Sequence, residues 1–159
     1  LTHSPRQAHV WLIFNVRQMK RAFFMFLCAM MLTSCWRSRT PCIYELPEGF
    51  RGWTLVEFEV DGAPALPQRD GKLLFSFPAS GRLVTSSRFK EGLAKDEFYF
   101  VGQKRSPLSV SIGGSDGMIW AQVTGATGTG NVSSRTFQRF FVGSRQEFEA
   151  AANAAPIPK

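Results

Sequence analysis

The chain has two histidines, His3 and His9, and both lie upstream of an apolar run that begins after Met19-Lys20-Arg21. With that upstream part removed, the rest of the chain has no imidazole. Neither a Ser-His-Asp nor a Cys-His nucleophile system can then be assembled, and zinc loses its commonest ligand. Carboxylate, hydroxyl and thiol chemistry remain. Ser87-Arg88-Phe89-Lys90 has the spacing at which a lysine can activate a serine, but that device needs a helix and partner motifs that the surrounding residues do not supply. A loop with a serine and a lysine is the plainer reading. Gly125-Ala126-Thr127-Gly128-Thr129-Gly130 has the glycines of a phosphate-cradling loop without its Lys-Ser/Thr ending or a following helix, so it reads as a flexible strand connection. Asp70, Asp96, Glu97 and Asp116 could serve acid–base work or oxygen ligation. Asp70 and Asp116 each precede a glycine, as turn residues do, and no loop has calcium-ligand spacing, so neither a metal nor a cofactor is expected. The triplet Lys95-Asp96-Glu97 leads into Phe98-Tyr99-Phe100 and is the candidate polar surface for a ligand or partner, while the aromatic run itself reads as core. Trp53 and Trp120 read as packing residues too, with sugar stacking as the sharper alternative.

The thiols belong to a different chemistry. Met19-Lys20-Arg21, the apolar residues 22–32 and then Leu32-Thr33-Ser34-Cys35 follow the charged, apolar and small-residue order of a secretory signal. The apolar stretch is shorter than the roughly 20 residues a membrane-spanning helix needs. Leu32-Thr33-Ser34-Cys35 resembles the lipobox of bacterial lipoproteins. That resemblance implies a diacylglycerol on the Cys35 sulfur, cleavage just before it, and a mature chain whose acyl chains hold it on the membrane. Residues 1–18 contain no methionine and read as an extension from a start codon assigned too early. Residues 19–34 form the signal helix, 35–42 a lipidated tether, 43–143 the folded domain and 144–159 a C-terminal helix and tail. Cys28 leaves with the signal, and Cys42 is expected as a buried, unpaired thiol, available to Cys35 only if lipidation fails.

These boundaries leave 124 residues after Cys35, enough for one domain with one core. Of the charges, 15 Lys and Arg against 12 Asp and Glu lie beyond Cys35, a net of +3. So mild and scattered an excess argues against nucleic acid as a partner. Short apolar runs at 43–46, 53–60, 73–77, 82–85, 97–101, 108–112, 118–123 and 136–142 have strand length. Leu73, Phe75 and Phe77 alternate onto one face, and Val56, Phe58 and Val60 do the same opposite Glu57 and Glu59. Asp61-Gly62, Asp70-Gly71, Ser80-Gly81 and Asp116-Gly117 supply turns, with Asp116-Gly117 the strongest hairpin signal. Ser144-Arg145-Gln146-Glu147 is a capping box opening a helix that docks through Phe148 and is stopped by Pro156. The pattern predicts a mainly β protein, an antiparallel β-sandwich with a short C-terminal helix.

Leu46-Pro47-Glu48-Gly49-Phe50-Arg51-Gly52-Trp53, with Asp70-Gly71, Phe77-Pro78-Ala79-Ser80-Gly81, Leu83-Val84-Thr85-Ser86-Ser87 and Ala94-Lys95-Asp96-Glu97-Phe98-Tyr99, resembles a family of bacterial lipoprotein domains of uncharacterised function, DUF6843, over residues 44–143. The resemblance implies a single exported module and transfers no functional residue. More loosely, Asp61-Gly62-Ala63-Pro64 followed by Asp70-Gly71 and Phe77-Pro78 is similar to the first hairpins of transthyretin-like sandwiches, an analogy of fold alone. The expectation is a lipoprotein of the cell envelope, exported and lipid-anchored to the bacterial membrane on its periplasmic or outer-membrane face. It would act as a binding or structural module rather than an enzyme, with an envelope protein or glycan as partner. One alternative is an envelope-polymer hydrolase using two carboxylates roughly 5–9.5 Å apart. The other is an accessory subunit that docks through an exposed apolar patch.

Overall fold

A computed structural model describes residues 38–113, 116–128 and 135–157. The extension 1–18, the signal 19–34 and Cys35 lie outside the described residues, as do Thr129 and Gly130 of the glycine-rich segment. The strands are β1 (Cys42–Pro47), β2 (Gly52–Glu57), β3 (Gln68–Arg69), β4 (Lys72–Ser76), β5 (Arg82–Val84), β6 (Glu97–Val101), β7 (Arg105–Pro107), β8 (Ile119–Thr127) and β9 (Arg135–Val142), followed by helix α1 (Arg145–Ala151). They form a five-stranded sheet in the order β3-β4-β1-β6-β7 and a four-stranded sheet in the order β5-β2-β9-β8.

Alternation builds the core between the sheets. Tyr44, Leu46, Phe75, Phe77 and Phe98 face inward from one sheet side, and Val56, Phe58, Ile119, Phe140 and Val142 from the other. Tyr44 is stacked between Phe75 and Phe98, with ring centroids 4.7 and 4.5 Å away, and Phe140 meets it edge-on at 5.6 Å. Offset and edge-to-face pairs of this kind stabilise beyond the area they bury. The sandwich-like layering follows from these contacts.

The sheets are mixed rather than antiparallel. β1 pairs parallel with both β4 and β6, and β2 pairs parallel with β5, whereas β2–β9, β8–β9, β3–β4 and β6–β7 are antiparallel. The reason is the route of the chain. It passes from β1 to the second sheet for β2, returns for β3 and β4, crosses for β5, returns for β6 and β7, and crosses again for β8 and β9. On these returns β4 and β6 come to lie parallel to β1, and β5 to β2, whereas β3, the first strand back, runs opposite to β1 and turns into β4; periodicity in sequence does not report direction.

The expected hairpin at Asp116-Gly117 is a second correction. Residues 108–112 form no strand: the Leu108 N–H donates to the Phe98 carbonyl, a parallel bridge joins Val110 to Ile119, and the strand in this region is β7, paired with β6. The tight hairpin is at Asp70-Gly71, where φ values of 50° and 73° join Arg69 to Lys72 in two residues. Gly125 is likewise inside β8 rather than in a flexible connection. It lies opposite Phe137, whose ring would stand 2.7 Å from an added Cβ.

A second aromatic group covers the outer face of the four-stranded sheet. Phe148 of α1 stacks on Trp120 at 5.5 Å and meets Phe141 and Trp53 at 5.7 and 6.1 Å. The indole N–H of Trp53 donates to the Ala151 carbonyl at 2.9 Å and that of Trp120 to the Gly143 carbonyl at 2.8 Å. Both tryptophans therefore hold the helix to the sheet. The helix starts at the expected box: Ser144 Oγ accepts the Glu147 N–H, and Glu147 Oε2 accepts the Ser144 N–H at 2.6 Å.

The Ser144 N–H, and then its hydroxyl, hold the Glu147 carboxyl below the usual glutamate range. A folded-state pKa lowered in this way contributes stability that is present above the unfolded value and lost as pH falls through the folded one. Acid titration followed by near-ultraviolet circular dichroism should therefore loosen the tryptophan signal of the docked helix early. Glu147→Gln should already be loosened at neutral pH and lack that acid step. Identical titrations of the two proteins would show that the box contributes nothing to docking.

Candidate functional site

One end of the sandwich is organised by the residues that precede β1. Ser38 forms a bridge with Leu93, and the Arg39 N–H donates to the Leu93 carbonyl at 3.2 Å. The Arg39 side chain then reaches along the same loop. Its Nε donates to the Gly92 carbonyl at 3.2 Å, and its Nη1 donates to the Thr40 carbonyl at 3.1 Å, to Cys42 Sγ at 3.1 Å and to Asp96 Oδ1 at 3.0 Å. Nη2 is paired with Asp96 Oδ2, which makes the arginine–carboxylate contact two-pronged. Asp96 Oδ1 also accepts the Cys42 N–H at 3.0 Å. The two side chains are only 14% and 10% exposed, so the pair lies in a partly dry setting.

This setting determines the protonation states around it. Burial pulls the Arg39 pKa down, but the Asp96 bond and charge outweigh it and the net direction is upward. Burial pushes the Cys42 thiol up and the Asp96 charge adds to that, with Arg39 offsetting part. A buried thiol held in its neutral form is a poor nucleophile. Burial also pushes the Tyr44 phenol well above its ordinary value, and its hydroxyl hydrogen-bonds Gln138 Oε1 at 3.0 Å.

Outside this cluster is a cleft of about 300 Å³, walled by Arg39, Phe89, Leu93, Asp96, Gln122 and Gln138. Beneath it a void of about 20 Å³ lies among Cys42, Tyr44, Phe75 and Gln138. That is room for about one water. Phe89 closes one side by packing edge-on against Phe58 at 5.3 Å. Gln122 reaches the wall because β8 changes register between Trp120 and Val123, with Ala121 at φ 49°. A bulge re-aims side chains in this way. The lining thus offers two amides and an aromatic ring, while its guanidinium and carboxylate already bond each other.

The three residues expected as a polar surface do not form one. Asp96 turns inward to Arg39 and Cys42, and Lys95 is exposed. Glu97 points to the outer face of the five-stranded sheet, where Lys72 and the Tyr99 hydroxyl bond it and hold its pKa below the usual range. On that face Arg69 meets Glu45 at 2.5 Å and Arg105 lies 3.6 Å from the Tyr99 ring, an ion-pair lattice across the strands. Ser87 is in an irregular segment rather than a helix, and its hydroxyl accepts the Leu66 N–H at 2.8 Å. Cys35 lies outside the described residues, and Cys42 is free and buried. No cluster of metal-ligating side chains occurs among the described residues.

Arg39 and Gln138 escaped the sequence reading for different reasons. Arg39 finds its partner 57 positions away and has no local signal. Gln138 shares the inward register of Phe140 and Val142 in β9, and a polar residue at an inward position was a readable sign.

A family model described as a family of unknown function, DUF6843, matches residues 38–151. Among solved structures, the crystal structure of a "Putative Lipoprotein from Bacillus anthracis" is similar, with a TM-score of 0.56 and 30% identity over 76% of this chain and 82% of that one. No curated protein matches.

Proposed function

The chain belongs to the DUF6843 family, a family of unknown function, and from that premise we propose that it is a lipid-anchored cell-envelope protein whose domain binds a polar, uncharged ligand, an envelope glycan, at its tethered end. The observation that carries this reading is the position of the cleft. Its wall includes Arg39, Gly92, Leu93, Ala94 and Asp96, and Arg39, four positions after Cys35, is bonded to Leu93, Gly92 and Asp96. A preformed hollow with a ring and a few convergent polar groups suits a small hydroxylated ligand. The description of the similar structure as a "Putative Lipoprotein" is in keeping with the anchor. A binding role is favoured over catalysis because Cys42 is held as a neutral thiol and Asp96 has both oxygens engaged.

The test uses protein expressed from Met19 beside Cys35→Ala. The parent should gain a lipid-sized mass and fractionate with membranes, and the variant should be released. Titration of the lipidated protein with soluble, uncharged chitooligosaccharide fragments should show binding, and Gln122→Ala should weaken it by about three- to tenfold, the effect of one lost hydrogen bond. Turnover of those fragments would instead favour the hydrolase. Lipidation without any glycan binding would leave the anchor and remove the proposed ligand.

A further inference from the structure

We infer that the loop of residues 88–95 is a membrane-contacting surface that lays the tethered end of the domain on anionic lipid headgroups. The inference rests on the lipid-anchored reading above and adds an orientation to it. Ser38 and Arg39 are not free linker: the bridge to Leu93, the Arg39 N–H bond to the Leu93 carbonyl, the Nε bond to the Gly92 carbonyl and the Asp96 ion pair bind them to this loop. Ser38 is three positions after the cysteine that would carry the lipid, with Trp36 and Arg37 between them. Fully extended, those three steps span at most about 11 Å. An anchor that short, attached to a fixed point on the loop, holds the loop at headgroup level.

The loop has the composition such a position requires. Arg88, Lys90 and Lys95 are exposed cations, with Glu91 the exposed anion among them and Glu59 beside Arg88 at 3.6 Å. Leu93 stands between the two lysines with 59% of its surface exposed. Cations around a projecting apolar side chain match an interface of acidic headgroups above acyl chains. The opposite end of β6 differs. Glu97 follows Asp96 at the tethered end, and the strand runs to Val101, so the turn at 102–104 is roughly 15 Å further from the lipid.

The test uses the full lipidated protein in phosphatidylcholine vesicles with or without phosphatidylglycerol. A dye is placed at Lys90→Cys or at Lys104→Cys, and a quencher is borne on the lipid headgroups. Cys42 is buried and Cys35 acylated, so the introduced thiol takes the label. Position 90 should be quenched several-fold more than position 104, and more strongly when phosphatidylglycerol is present. With the dye at Arg88→Cys, adding Lys90→Glu and Lys95→Glu should abolish the phosphatidylglycerol dependence. Equal quenching at 90 and 104, or no response to phosphatidylglycerol, in protein whose intact mass shows lipid on Cys35 overturns the orientation and leaves the anchor standing. Absence of that mass overturns the anchored reading and the orientation with it.

Discussion

Asp96→Ala is expected to destabilise the domain by about 3–5 kcal/mol, the cost of breaking a buried ion pair by removing one partner. The Arg39 guanidinium would keep its burial and lose the carboxylate that neutralises it, and the Cys42 N–H would lose its acceptor. For a domain of this size the melting temperature should fall by more than about 10 °C. The loss should also be local in character. With Arg39 released from the loop, Ser38 and Arg39 detach from Leu93, and Cys42 at the start of β1 becomes reachable. Denaturant unfolding and the rate at which Cys42 reacts with a thiol reagent measure the two effects separately. Replacing both partners by apolar residues of similar volume, Arg39→Met with Asp96→Leu, should recover much of the stability, since well-packed apolar pairs often match buried ion pairs. A shift below about 1 kcal/mol for Asp96→Ala, the level of an exposed pair, would mean that solvent already screens the contact.

Phe140→Ala should have a comparable cost, about 3–5 kcal/mol, but it should act on the whole fold. The ring has no exposed surface and meets Tyr44, Phe77 and Phe98, so it joins the aromatic stack of the five-stranded sheet to the four-stranded one. A cavity at that point removes contacts from both layers at once. Phe148→Ala is the informative comparison. That ring is half-buried and binds α1 to the outer face, so its loss should free the helix while the sheets persist. Hydrogen exchange distinguishes the cases. Phe140→Ala should raise exchange throughout β1, β2 and β9, and Phe148→Ala only around α1. Uniform loss of protection in Phe148→Ala would make the helix part of the cooperative core.

The family match and the fold class were legible because they depend on local signals. The alternating runs became strands at nearly the expected places: residues 97–101 coincide with β6, and 136–142 with all but the first residue of β9. The capping box and the docking role of Phe148 were equally readable, since a box needs residues three apart and a lone aromatic on an alanine-rich helix has one obvious use. The run at 108–112 misled because only Leu108 packs on the core, while Val110 makes a single bridge and Ile112 is largely in solvent. Glu57 also departs from the simple alternating pattern. It is almost wholly buried and bonded by Arg82 from the neighbouring strand at 2.7 Å.

What the sequence by itself determined is therefore the longer strands β1, β2, β4, β6, β8 and β9 with β5, the helix and its start, and the absence of histidine beyond residue 9. These are consequences of side-chain period and of composition, which are properties of short stretches. Only the tertiary structure decided the parallel pairings, the inward turn of Asp96 away from Glu97, and the attachment of Arg39 to a loop more than 50 residues distant. Those features depend on how the chain crosses between two layers. The energy that selects among such crossings is distributed over contacts distant in sequence, so no local pattern encodes it.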